Sequence, residues 1–203
     1  WSIYTKDEST GTVKVQFQRM FTAWGKWYVT GVTLNQWHHI VVTYDSSSVS
    51  NNPIIYIDGS SQTVTEDEAP SGSLVSDATK DLLIGSYKTT NNYDGLVNEV
   101  AIWDTILDAD AVTALYGSGT PLLPTSDSGN YDNSDDLQGY WRNDGITTWT
   151  DRANTGVASL DGTNDRIAIN GFTMSGNQAT FSFWAKFDTM DQFKYLLDTA
   201  NSS

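Results

Sequence analysis

"YDGLVNEVAIWDTILDADAVTALYGSG" occupies residues 93–119, and its reading decides the fold. The run "LVNEVAIW" (96–103) is dense in β-branched and aromatic side chains and follows an Asp-Gly pair, so it reads as a strand. Immediately afterwards "DADAVTALYGSG" (108–119) changes period: Asp108 is an N-cap, Val112, Leu115 and Tyr116 form an apolar stripe, and Gly117 stops the helix. A strand that feeds one short amphipathic helix describes a surface helix lying on a β protein.

Working outward, strand signals dominate. "HHIVVTY" (38–44), "PIIYIDG" (53–59), "LLIGSY" (82–87), "RIAI" (166–169), "ATFSFWAKF" (179–187) and "YLL" (195–197) are short runs bounded by turn residues. In "ATFSFWAKF", Phe181, Phe183 and Ala185 alternate with Ser182, Trp184 and Lys186, and the large Trp184 implies that both faces are covered. Asp-Gly pairs at 58–59, 94–95, 144–145 and 161–162 supply the positive φ angles of tight turns. Short, regularly spaced strands predict an all-β, antiparallel two-sheet jelly roll with one short surface helix.

Composition narrows the function classes. The 203 residues include eight Trp and ten Tyr, too many large side chains for a disordered chain. A formal charge of −14 repels phosphate, which excludes nucleic acid as an electrostatic partner and disfavours anionic membranes. With no cysteine, disulfides and thiolate metal sites are excluded. No apolar run of about 18 residues exists, so membrane insertion by a helix is excluded as well. The chain opens on Trp1 without a signal peptide, as a processed chain or a piece of a longer one would.

"SGTPLLPTSDSGNYDNSDDLQG" (118–139) is rich in Pro, Gly, Ser and Asp and reads as a linker. Fully extended it reaches roughly 75 Å, against a radius of gyration of about 17 Å for a domain of this length. The linker is long enough to run past a whole domain.

The segments "QWHHIVVTYD", "IIYIDG", "LLIGS" and "YDGLVNEVAIWDTILDADAVTALY" resemble laminin G-like modules of the concanavalin A-like lectin/glucanase superfamily. "LQGYWRNDG", "ASLDGTNDRIAI" and "ATFSFWAKF" resemble the opening of the same module. The order is inverted: residues 1–117 correspond to the latter two thirds of the roll, 118–139 to a linker, and 140–203 to the first third. Joined as "YLLDTANSS" then "WSIYTKDESTG", the ends read as strand, turn, strand. Three pictures fit: one permuted roll within the chain, donation of the last third to a neighbouring chain, or one period framed out of a tandem array. A third of a roll alone buries too little surface to stand, so some partner must complete it.

The resemblance implies a non-catalytic carbohydrate-recognition and adhesion module, extracellular or on a cell or virion surface, with glycans or neighbouring copies as partners. A structural repeat of a filament, adhesin or viral fibre is the alternative. The superfamily's retaining glucanases carry two Glu flanking an Asp on one strand; here Glu66 and Glu68 lie in "TEDEAP", a polar stretch that reads as a solvated loop, and no enzyme is expected. Adjacent His38 and His39 point to opposite faces of a strand and cannot converge on one atom. Trp37, Trp103, Trp141 and Trp184 match core positions of the resembling module. Trp24, Trp27 and Tyr28, with Tyr87, Asn91, Asn92 and Tyr93, stand outside that pattern and are the expected ligand contacts, since sugars stack on aromatic rings while amides take hydroxyls. Calcium is the one expected cofactor, through Asp94, Asn98 and Glu99 of "YDGLVNE" and Asp161, Asn164 and Asp165 of "LDGTNDR".

Overall fold

The computed structural model describes residues 1–9, 11–87, 91–142, 158–161, 163, 165–170, 172, 174, 176–188 and 193–200. In chain order the elements are β1 (Ser2–Ser9), β2 (Thr12–Met20), β3 (Trp24–Thr33), β4 (Trp37–Asp45), β5 (Ile54–Ile57), β6 (Ser60–Ser61), β7 (Thr65–Glu68), β8 (Asp81–Ile84) and β9 (Asp94–Trp103). Then follow α1 (Ala109–Tyr116), β10 (Leu137–Trp141), β11 (Ala158–Asp161), β12 (Ile167–Ile169), β13 (Gln178–Phe187) and β14 (Lys194–Ala200).

Two antiparallel sheets result. The first runs β12-β8-β14-β1-β2-β3-β7; the second runs β10-β9-β13-β4-β5-β6, with β11 also paired to β9. The two sequence parts are interleaved in both. β13 lies between β9 and β4, and β14 between β8 and β1, with Ser2 opposite Asp198 and Ile3 opposite Leu197. Alternation sends Ile3, Val13, Val15, Phe17 and Val29 inward against Ile40, Val42, Phe181 and Phe183.

Local chemistry explains the punctuation. Asp58 and Gly59, at φ 51° and 76°, form the two-residue turn between β5 and β6. Asp94-Gly95 instead opens β9 and makes no hairpin, and the pairs at 144–145 and 161–162 fall wholly or partly outside the described residues. Helix α1 matches its sequence signals: the Asp108 side chain accepts from the Ala111 N–H, and Gly117 closes it in the left-handed conformation.

The linker differs from its expected form. It is packed onto the outer face of the second sheet, where Tyr131, Leu107, Val112 and Leu115 join Val41, Tyr56 and Trp103 in a second core. The Trp103 indole donates to the Tyr131 hydroxyl at 2.9 Å, which donates to the Pro124 carbonyl at 2.7 Å. β10 then begins at Leu137, inside the stretch read as linker. Polar composition hid a strap held by one buried Tyr. "TEDEAP" also differs: residues 65–68 form edge strand β7, whose run of acidic side chains suits an edge that should not recruit another chain.

Candidate functional site

The face of the first sheet turned away from the core carries the candidate site. On β1, β2 and β3 the residues that alternate with the core are Tyr4 and Lys6; Lys14, Gln16 and Gln18; and Trp24, Lys26 and Tyr28. Register aligns them: Tyr195 faces Tyr4, Tyr4 faces Gln16, and Gln16 faces Tyr28. This Tyr-Tyr-Gln-Tyr row crosses four strands, about 14 Å at the usual strand spacing. The next row holds Asp198, Ser2, Gln18, Lys26 and Glu68.

Rings dominate one end. Tyr4 and Tyr195 stack at 4.8 Å, Tyr87 leans on Tyr195 at 4.9 Å, and Phe193 reaches Tyr4 at 5.8 Å. Phe193 remains 42% exposed. Cations flank the rings: Lys6 sits 5.1 Å from the Phe193 centroid and Lys14 sits 4.4 Å from that of Tyr28. At the far edge Lys26 pairs with Glu68 at 2.6 Å.

Burial, then Tyr195, Asp67 and Glu68, push the Tyr4 hydroxyl above the ordinary phenol range. Burial, Asp198 and Tyr87 raise Tyr195 to about 12, with a hydrogen bond from Gln18 pulling the other way. Both phenols therefore stay protonated at neutral pH and can donate as well as accept. Tyr4, Gln16 and Gln18 are themselves buried, so the groups open to a ligand are Trp24, Tyr28, Tyr87, Phe193 and Tyr195, whose rings can stack on a flat apolar face while the Tyr hydroxyls bond a rim of hydroxyl groups. A pyranose offers that combination.

Four of the expected ligand contacts are in or beside this face. Trp24, 36% exposed, and Tyr28 lie on its β3 side. Tyr87 belongs to the ring cluster. Exposed Asn91, at φ 53°, accepts the Tyr195 backbone N–H at 3.0 Å and so fixes that ring's strand.

Three others are corrected. Trp27 is 0% exposed, stacked on Phe17 and tilted against Tyr44, and its indole donates to Asn52 at 2.9 Å and Glu66 at 3.3 Å. It points inward because β3 alternates about it, and it lies over Gly25, where a Cβ would stand 2.3 Å from its ring. Tyr93 is likewise 0% exposed, set edge-on to Phe187, with its hydroxyl donating to the Lys186 carbonyl at 2.8 Å. Asn92 is buried and donates to the Thr163 carbonyl. Trp37 reverses in the other direction: expected in the core, it is 37% exposed on the second sheet.

Tyr4, Gln16, Gln18, Phe193 and Tyr195 were missed. Strict alternation in "TVKVQFQRM" was the available signal for the two Gln. Tyr195 could be placed only once β14 was set against β1.

Each glutamate has a structural partner. Glu8 accepts from the Gly31 N–H at 2.6 Å, Glu66 from Trp27, Glu68 from Lys26, and Glu99 from Arg142 at 3.0 Å and from the Tyr140 hydroxyl. His38 bonds Asp58 and Thr33, while His39 shares a 2.8 Å bond with Ser182 on the opposite face, stacked between Trp184 and Tyr116.

The expected calcium ligands divide. β11 pairs with β9 so that Asp161 stands opposite Asp94. Asn98 and Glu99 lie four and five residues further along β9, roughly 13–17 Å away, and Glu99 is already engaged by Arg142. Asp165 is half-buried before β12, and Asn164 falls outside the described residues. Among the described residues no group of three His, Cys, Asp or Glu could hold a metal ion.

Two antiparallel sheets packed face to face, with one outer face edged by exposed rings and one capped by a short helix, define an antiparallel β-sandwich. A model of the concanavalin A-like lectin/glucanases superfamily, of laminin G type, matches residues 2–113, and the chain belongs to that superfamily. No curated protein and no solved structure matches it. The matched part runs from β1 into α1; β10 to β14 complete both sheets. Among the described residues no helix is long and apolar enough to cross a membrane.

Proposed function

We propose that the chain is a non-catalytic carbohydrate-recognition module that binds neutral glycan chains along the outer face of its first sheet, in an extracellular, adhesive setting. The half-exposed rings of Tyr195 and Tyr28, at the two ends of the aligned row whose middle members Tyr4 and Gln16 are buried, carry this reading. Their separation across the strands suits a short oligosaccharide reaching from one ring to the other. Glu66 and Glu68, the pair nearest the glucanase pattern, are engaged by the buried Trp27 indole and by Lys26, which supports a binding module over a retaining glucanase, whose two carboxylates must face one cleft.

Assembly of copies by strand addition has less support, since edge strand β7 presents Glu66, Asp67 and Glu68. Calcium, in this reading, belongs at the Asp94 and Asp161 end of β9 and takes no part in the sugar contacts.

A glycan array tests the proposal. We expect wild-type protein to give neutral oligosaccharide hits that Tyr28→Ala and Tyr87→Ala remove. An array with no hits, or hits untouched by both substitutions, removes the reading.

A further inference from the structure

Among the described residues, every ladder made by β10 to β14 is with a strand of the first nine. β10 and β11 pair with β9, β12 with β8, β13 with β9 and β4, and β14 with β8 and β1. The two longest, β13 and β14, are inserted between strands and do not lie at an edge. β13 runs against β4 from Gln178, opposite Asp45, to Lys186, opposite Trp37, and buries Phe181, Phe183 and Phe187. The last five strands thus fill two gaps in the first nine, one between β9 and β4 and one between β8 and β1. A second copy of the chain offers the same gaps in the same register. The strap obeys the same rule: Tyr131 bonds Trp103, the Leu122 N–H donates to the Leu115 carbonyl at 3.2 Å, and the Asp104 N–H donates to the Asp136 carbonyl at 3.3 Å.

The turn after α1 is what keeps both parts on one roll. Gly117, Ser118 and Gly119 have φ of 54°, 53° and 93°, and the Thr120 N–H closes the turn on the Gly117 carbonyl at 3.1 Å. Ser118 is a non-glycine held in the left-handed region, a steric cost that an extended backbone does not carry. All three residues are exposed, so no packing resists straightening of the turn. A short connection under strain between two interlocked parts is the usual hinge of domain exchange.

We propose that copies of this chain exchange their last five strands: the turn at Gly117–Gly119 straightens, and the strap and β10 to β14 of each copy fill the gaps of the other. The partner is a second copy of the same chain. Reciprocal exchange closes after two copies, because an open series leaves unfilled gaps at its end. The exchange inserts strands inside the sheets and so bypasses the acidic edge strand β7, which disfavours edge-to-edge addition. It is independent of what the outer ring face binds, and the dimer carries that face twice.

Wild-type chain is unfolded in urea, refolded at concentrations from micromolar to near-millimolar, and sized by light scattering. The dimer share should rise with concentration and survive dilution, since reversal means pulling β13 and β14 out of both rolls. Cross-linking separates exchange from simple association. The chain has no cysteine of its own, and positions 37 and 186 are directly opposed, within reach of a disulfide. Trp37→Cys and Lys186→Cys chains, one of them isotopically labelled, are mixed unfolded, refolded together and oxidised. A covalent dimer joining position 37 of one chain to position 186 of the other is expected. Ser118→Gly keeps the turn without its steric cost and should lower the dimer share roughly fivefold or more. Monomer alone at every concentration overturns the proposal. So does a dimer without the 37-to-186 link, which is association without exchange, or a dimer share indifferent to Ser118→Gly.

Discussion

Tyr131→Phe is the most informative single perturbation of the fold. The hydroxyl it removes accepts from the Trp103 indole at 2.9 Å and donates to the Pro124 carbonyl at 2.7 Å, and all three residues are buried. Without it two buried polar groups lose their partner, at about 1–3 kcal/mol each before relaxation. A net loss of roughly 2–4 kcal/mol follows, since the strap can shift to let one group find water. For a domain of this size that lowers the melting temperature by roughly 4–16 °C. Urea unfolding followed by Trp fluorescence, with calorimetry alongside, measures both. Glycan binding should not change, because the strap and the ring row are on opposite sheets. A loss below about 0.5 kcal/mol, the size of an ordinary surface change, would refute the claim that residues 118–139 are locked to the sandwich through Tyr131.

Burial lowers the His39 pKa from 6.5 to about 4, so its contribution to stability is complete above pH 6.5 and is lost as pH falls toward 4. The loss amounts to about 3 kcal/mol, and His39→Asn should flatten that part of the acid limb in unfolding titrations; an unchanged slope contradicts the assignment. At the alkaline end, burial raises Tyr44, Tyr131 and Tyr195 to about 12, so stability should fall as pH climbs from 10 to 12. Gly25→Ala puts a methyl 2.3 Å from the Trp27 ring and should cost about 1–3 kcal/mol; a neutral result would mean that Trp27 is not fixed over it. Because Glu99 is held by Arg142, calcium is left to the Asp94 and Asp161 end of β9, and Tm should be several degrees higher in calcium than in chelator; equal values would remove that site.

Much of the sandwich was legible because its strands obey local rules. The helix followed from Asp108 and Gly117, and the core strands from their β-branched runs. What misled was partnership across the chain. Trp27 looks like a surface ring among Gly, Lys and Tyr, and only the β2–β3 register shows it facing inward beside Phe17. Tyr93 sits in a polar loop sequence, yet the Lys186 carbonyl some 90 residues away holds its hydroxyl in the core. β7 was hidden because an edge strand tolerates acidic residues that a central strand could not. The ring row was half visible: Tyr28 and Tyr87 stood out, whereas Tyr4 and Tyr195 required knowing that the last strand lies against the first.

Titration calorimetry with the best neutral oligosaccharide from the array tests the central claim most directly. The comparison is wild type, Tyr28→Ala and Tyr87→Ala on the ring row, and Trp37→Ala as an exposed ring on the other sheet. Recognition along the first sheet predicts at least roughly tenfold weaker binding for the two Tyr variants and no change for Trp37→Ala. Full affinity in both Tyr variants, or a loss confined to Trp37→Ala, would contradict it.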